Sequence, residues 1–268
     1  MLFRTLMAAL LGAAISFTAT ADDAPRMAII IDDLGDRLPE GRRAVRLPGA
    51  LTYAFLPHTP HSRPLARLAH NLGKEVMLHL PMDSVNRDRL GPGGLTLDMT
   101  HEKFRRTLLD DLKSVPHVRG VNNHMGSLLT RHPGHMGWLM AELAASGDLY
   151  FVDSRTARRS VAVLLAEEYG VSATRRDIFL DNVRDQDAIM GQFQKAVTFA
   201  GKTGAAIAIG HPYPETIGAL QKLLPQLKAQ GIRLVPVSKL IHRRNERSIE
   251  QWQASLYPSQ RAAKNSKP

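Results

Sequence analysis

The chain has 268 residues, 44% of them hydrophobic and 22% charged, enough for a full globular core in one large or two modest domains. It contains no cysteine, which excludes a disulfide framework, a thiolate zinc site and a cysteine nucleophile. The net charge of +10 is read as attraction to anionic wall polymers and membrane surfaces, with nucleic acid left out of the expected partners.

Residues 1–21 read as a secretory signal peptide. Arg4 supplies the positive start, residues 5–19 are uncharged and apolar, and Ala19-Thr20-Ala21 fits a cleavage site before Asp22. The run is short for a membrane span, so no stable membrane insertion is expected after cleavage, an uncleaved anchor being the alternative. Export without cysteine points to the periplasm. At the other end, 243–268 forms a basic, flexible tail with Arg243, Arg244, Arg247, Arg261, Lys264 and Lys267.

Between these ends, strand and helix patterns alternate. Met27-Ala28-Ile29-Ile30-Ile31 reads as a strand buried on both faces, ending in Asp32, Asp33 and a glycine turn. Neighbouring residues on a strand point apart, so the two carboxylates invite different jobs, one on a metal and one on a water or proton. A short polar helix follows, then strands at 51–56 and 75–80 around a helix at 62–72. Residues 85–96, centred on Gly91-Pro92-Gly93-Gly94, read as a surface loop suited to substrate. Helices are expected at 102–113, 135–145, 161–169, 185–203 and 214–229. Strands are expected at 118–121, 149–152, 172–174, 205–210 and 233–237, with a further segment at 178–182. Seven or eight alternations without a linker favour one closed or nearly closed (β/α) barrel.

Nearly every strand exits into an acid or an imidazole: Asp32-Asp33, His58, His79, His124, Asp153, His211. In a parallel α/β sheet, ligands bind at these carboxyl ends. One aspartate with two histidines holds a divalent ion and leaves a position open for water, a free aspartate takes a proton, and an imidazole protonates the leaving group. Hydrolysis of an amide or ester needs this set. Each residue also has a structural reading, His79 as a core histidine, His211 as a helix cap, Asp153 as a cap or salt-bridge partner. His58, Asn122, Asn123 and Ser154 are candidates to face substrate, whereas His70, His101, His117, His132, His135 and His242 are assigned to structure or surface.

Five segments occur in order: Ile-Ile-Ile-Asp-Asp-Leu-Gly at 29–35, His-Leu-Pro-Met at 79–82, Gly-Val-Asn-Asn-His-Met-Gly-Ser at 120–127, Phe-Val-Asp-Ser-Arg-Thr at 151–156 and Ile-Gly-His-Pro at 209–212. Over 26–241 the chain therefore resembles the divergent polysaccharide deacetylase family. The resemblance implies an α/β fold, a single distorted, NodB-like (β/α) barrel of about seven strands, occupying 22–242. It implies metal-dependent carbohydrate deacetylase ancestry, with Asp32 as general base, Asp33 as metal ligand and His211 as acid. Asp153 joins this catalytic set. The wider superfamily carries both metal histidines in one short segment, but Leu128 stands where the second would follow His124, and His79 is expected to replace it from the neighbouring strand. The expected cofactor is a divalent ion, zinc first, then nickel or cobalt. The expected function is periplasmic deacetylation of an N-acetylated polysaccharide such as peptidoglycan. A murein-hydrolase activator system is a candidate partner. The alternatives are an inactive barrel that binds glycan or a cell-envelope partner and, with no phosphate-cradling glycine loop to support it, a phosphoesterase.

Overall fold

The computed structural model describes residues 24–242 and 244. The expected export segment and the rest of the basic tail lie outside the described residues. Among the described residues no helix is long and apolar enough to cross a membrane.

Strands and helices alternate along the chain: β1 (Arg26–Leu34), α1 (Leu38–Val45), β2 (Thr52–Phe55), α2 (Ser62–Asn71), β3 (Glu75–Met82), α3 (His101–Ser114), β4 (Val118–Met125), α4 (Pro133–Ala145), β5 (Tyr150–Asp153), α5 (Ala162–Glu168), β6 (Ala173–Arg175), β7 (Ile178–Phe179), α6 (Gln186–Thr203), β8 (Ala205–Gly210), α7 (Pro214–Leu223) and β9 (Arg233–Leu234). Local chemistry sets the helix ends. Thr100 caps α3 by accepting from Lys103 N at 3.3 Å, Asp185 caps α6 by accepting from Ala188 N at 2.9 Å, and α6 stops at Gly204 with φ +82°.

All ladders are parallel, in the order β6-β5-β4-β3-β2-β1-β8-β7, with β9 added beside β1. The sheet curls into a half-barrel of eight strands, and β9 is the ninth strand of the sheet. No ladder joins β6 to β7 among the described residues. The chain itself crosses that seam, with Arg176 N donating to Asp153 O on one edge and Asp177 N to Ile207 O on the other, both at 2.9 Å. Arg244 sits under the crossing, bonded to Thr174 Oγ1 at 2.7 Å and Asp177 Oδ2 at 2.5 Å. It is thus an anchor for the barrel and not part of a free tail.

Strand parity divides the core in two. Met27, Ile29 and Ile31 pack with Tyr53, Phe55, Leu78 and Phe151 under the helices. Ala28, Ile30, Ala54, Met77, Val152, Ile207 and Ile209 fill the interior instead, so β1 is indeed buried on both faces. The expected strand at 233–237 is paired only at Arg233–Leu234, and from Val237 the chain turns helical. Val237, Leu240 and Ile241 from this helix close the interior cluster, a plug of apolar side chains that strand parity does not foresee. The expected long helix at 214–229 ends at Leu223 because Pro225 follows, and a single 3-10 turn takes over.

Inside the barrel Gly120 lies opposite Tyr150 on β5, and a Cβ placed there would stand 2.3 Å from the ring. Tyr150 cannot move freely, because its hydroxyl donates to Glu75 Oε1 at 2.8 Å. Gly120→Ala is expected to cost about 1–3 kcal/mol by overpacking, which lowers the thermal midpoint by several degrees. Calorimetry checks this, and an unchanged midpoint would show that the ring yields without cost.

Candidate functional site

Continuing the inner parity upward from Ala28 and Ile30 leads to Asp32, from Met77 to His79, from Gly120 to Asn122 and His124, from Val152 to Ser154, and from Ile209 to His211. The site is thus the polar layer resting on the apolar interior. Asp33 has the opposite parity. It reaches the same layer because the β1–β2 register slips between Ile31 and Leu34 and Asp33 takes φ +55°. The expectation that the two carboxylates diverge is corrected here: both face His79 Nε2, Asp33 Oδ1 at 3.1 Å and Asp32 Oδ2 at 3.8 Å.

Three ligand atoms converge. Asp33 Oδ1 lies 2.9 Å from His124 Nδ1 and 3.1 Å from His79 Nε2, and the two nitrogens are 3.2 Å apart. Bonds of about 2.0–2.1 Å at tetrahedral angles would set such atoms about 3.3 Å apart. Asp33 Oδ1 is buried and accepts no well-angled hydrogen bond. The donor set therefore fits a divalent cation. Electrostatics agrees. Burial works to raise the Asp33 carboxyl, but the two imidazoles outweigh it and hold the group well below the usual carboxylate range. Burial likewise opposes charge on His79, but Asp32 and Asp33 outweigh it and push the imidazole up to about 9. A position that favours one positive charge this strongly favours a cation for the same reason.

Asn122 holds the layer together. Its Nδ2 donates to Asp32 Oδ1 at 2.8 Å, and a carboxylate only accepts, so Oδ1 must face His79 Nδ1, 2.9 Å away. His79 is therefore protonated on Nδ1, and a cation that displaced the second proton from Nε2 would meet a lone pair aimed toward Asp33, the tautomer a metal ligand needs. Asp32 is buried, and burial raises its pKa against the pull of His79, His211 and Asn122, which makes it a stronger base.

His211 is held by Asp181, which the strand-exit reading passed over although it follows Ile178-Phe179-Leu180. The imidazole Nδ1 donates to Asp181 Oδ1 at 2.9 Å, and Asp181 Oδ2 accepts from His211 N at 2.6 Å and Thr216 Oγ1 at 2.7 Å. Burial opposes charge on His211, and Asp181 outweighs it, raising the imidazole pKa. Nε2 points back toward Asp33 Oδ2, 3.7 Å away. Arg176 is a second omission. It is tucked under the loop after β5 with Nε on Ser154 O at 2.7 Å, and its side chain gave no periodic signal in the sequence.

Other expectations change. Asn122 and Asn123 are buried and bind protein groups, so they position the site rather than face substrate. Asn123 Oδ1 accepts from Ser154 N at 2.8 Å, and Ser154 Oγ is a partner of Asn122, which removes Ser154 from the substrate side as well. Asp153 has the outer parity. Its Oδ1 accepts from Arg155 N at 2.7 Å and shapes the turn after β5, apart from the ligand trio and His211 among the described residues. His58 points away to α3, where its Nε2 meets Asp111 Oδ1 at 3.0 Å. His79 stands beside His124 and Asp33, within reach of a shared ion.

Two clefts meet over the trio at Asp33 and Asp36. One, of about 380 Å³, runs past Pro57, Pro81 and the loop Arg89–Pro92, so the glycine-rich loop does border the site. The other, of about 320 Å³, runs past Arg37, Arg184 and Tyr213. A 590 Å³ cavity lined by Pro48, Leu224 and Leu227 carries no acid or imidazole and belongs to the opposite end of the strands.

The Asp181–His211 contact makes a direct prediction. Asp181→Asn should lower the His211 pKa, since a neutral amide no longer favours the charged ring. Imidazole titration by NMR measures it, and an unshifted midpoint would show that Asp181 only fixes the backbone.

Residues 29–241 match the family described as divergent polysaccharide deacetylase. The uncharacterized protein YibQ of Escherichia coli (strain K12) is 36% identical over 219 residues, 82% of this chain and 68% of that protein. An uncharacterized protein of Haemophilus influenzae is 38% identical over 224 residues, covering 84% and 79%. Among solved structures, the uncharacterized protein ATU2773 from Agrobacterium tumefaciens C58 superposes with a TM-score of 0.78 at 22% identity, over 81% of this chain and 89% of that one. At a TM-score of 0.51 stand the T48 deacetylase with substrate, 13% identical over 83% and 93%, and a mutant of the CE4-family pseudoenzyme BA3943, 14% identical over 81% and 67%. These structural likenesses bear on the fold alone, a NodB-like (β/α) half-barrel. On the family match and the two relatives, the chain belongs to the divergent polysaccharide deacetylase family.

Proposed function

We propose that this protein is a metal-dependent hydrolase that removes the acyl group from an N-acetylated glycan, peptidoglycan being the nearest such polymer, and that it works in the periplasm. The observation that carries the reading is the convergence of Asp33, His79 and His124 between two differently tuned groups, buried Asp32 and Asp181-held His211. A divalent ion, zinc first with nickel or cobalt as alternatives, would supply Lewis-acid polarisation and a more acidic water.

The chain's own groups supply the rest. Asp32, raised by burial and fixed by Asn122, takes the proton of the attacking water at a carboxylate oxygen. His211, whose pKa Asp181 raises against burial, gives the proton on Nε2 to the departing nitrogen. The two clefts meeting at Asp33 leave room for sugar on both sides of the reacting amide.

Variants separate the roles. Asp33→Ala, His79→Ala and His124→Ala should lose most bound metal and activity together. Asp32→Asn and His211→Ala should keep metal while losing turnover by about 10²–10⁴. The measurements are metal stoichiometry and acetate release from chitooligosaccharide and muropeptide. Wild type that binds metal yet releases no acetate from either would make the barrel a glycan-binding protein without turnover.

Location has its own test. N-terminal sequencing of the mature protein should begin at Asp22, and an intact Met1 in a membrane fraction would overturn the periplasmic assignment.

A further inference from the structure

We propose that Arg155, Arg158 and Arg159 on the loop after β5, with Arg175 at the end of β6, form an anion-reading arc that makes the substrate a carboxylate-bearing glycan, one with acidic peptide stems, instead of a neutral one. This rests on the glycan-hydrolase reading above and adds which glycan.

Residues 154–160 contain three arginines and no acid. All three side chains are exposed, as is that of Arg175, which lies opposite Asp153 in the β5–β6 register. None of the four forms an ion pair among the described residues. The neighbouring carboxylates are already engaged: Asp153 accepts from Arg155 N, and Asp177 is paired with Arg244. Four exposed cations thus occur on one loop and the neighbouring strand end with no carboxylate paired to them among the described residues, a local excess of positive charge that attracts an anion.

The arc belongs to the same end of the sheet as the ligand trio. Its loop is tied to the strand that carries His124, because Thr156 Oγ1 donates to Met125 O at 2.7 Å and Ser154 N to Asn123 Oδ1 at 2.8 Å. From below, Arg176 donates to Ser154 O at 2.7 Å and to Arg155 O at 3.2 Å, which fixes the loop carbonyls. Arg155 itself has φ +58°, a conformation held by these contacts. Arg155 is thus presented on a backbone held from both sides. Arg176, bonded to the carbonyls of Ser154 and Arg155, thus joins the arginine loop to Ser154, whose hydroxyl is a partner of Asn122 beside Asp32.

The residue type narrows the ligand. All four are arginine and none is lysine, and the planar guanidinium fork matches a carboxylate through two parallel hydrogen bonds, which a lysine point charge cannot do. Neutral sugars need no such cluster. A glycan strand whose lactyl-linked peptides carry free carboxylates places several such anions beside the acetamido groups that the trio would handle.

The test compares full-length wild type with the triple variant Arg155→Asn, Arg158→Gln, Arg159→Gln, with asparagine at 155 because it tolerates the left-handed backbone there. Calorimetry measures binding to muropeptide oligomers with their stems, to the same glycan with stems removed, and to vesicles containing phosphatidylglycerol. Acetate release is followed on both glycans. Wild type should prefer the stem-bearing glycan by about tenfold or more, with the preference shrinking as salt is raised. The triple variant should bind both glycans alike while keeping its thermal midpoint and metal content. A wild type without preference, or a variant that retains it, overturns the proposal, as does arginine-dependent binding to vesicles with no preference between glycans. Preference without acetate release keeps the arc and overturns hydrolysis. Acetate release from both glycans without preference keeps hydrolysis and overturns the arc.

Discussion

The Asn122 amide is the contact on which the rest of the site depends. One end of it donates to Asp32 and the other accepts from His79, so a single side chain sets the position of the proposed base and the tautomer of a metal ligand. Neither setting would survive in water, where solvent would replace both partners. The amide is buried, and unmaking either bond there would leave a charged or polar group unsatisfied, a cost of about 1–3 kcal/mol or more. Geometry and protonation are thereby coupled in one residue.

Below this layer the barrel interior is small and apolar, with Ala28, Ala54 and Ala205 among its members. Above it, His79 and His124 from adjacent strands close onto Asp33. The bulge at Asp33 completes the arrangement. A regular β1 would have sent that carboxylate under the helices with Ile29 and Ile31.

Much of this was legible in the residues. Alternation of apolar runs with amphipathic stretches predicts the parallel barrel, and an acid or imidazole after so many strands predicts where chemistry gathers. What period-2 reasoning could not convey was direction at the strand ends. Asp153 looked equivalent to Asp32, yet parity turns it outward, while Asp33 escapes its parity through a register slip that leaves no trace in composition. Asn122, Asn123 and Ser154 looked available to substrate because they are polar; the fold buries them, and their polarity serves each other. Asp181 was hidden by the shortness of β7, two residues long, which made its strand exit hard to recognise. His58 was misplaced because its partner, Asp111, lies on a helix 53 residues away.

The apolar plug from Val237 to Ile241 has a consequence for how the molecule comes into being. Val237 N donates to Thr52 Oγ1 across 185 residues of chain, and β1 finds one neighbour in β2 but the other only in β8. Contacts of such high sequence separation form late and slowly, because the entropy of closing the intervening loop is lost before they stabilise anything. The strand bearing both aspartates is synthesised early, yet it stays half-assembled until the final third of the polypeptide has arrived. A chain shortened near its C-terminus would thus be damaged at its N-terminal carboxylates, and the reactive centre matures as a property of the finished molecule.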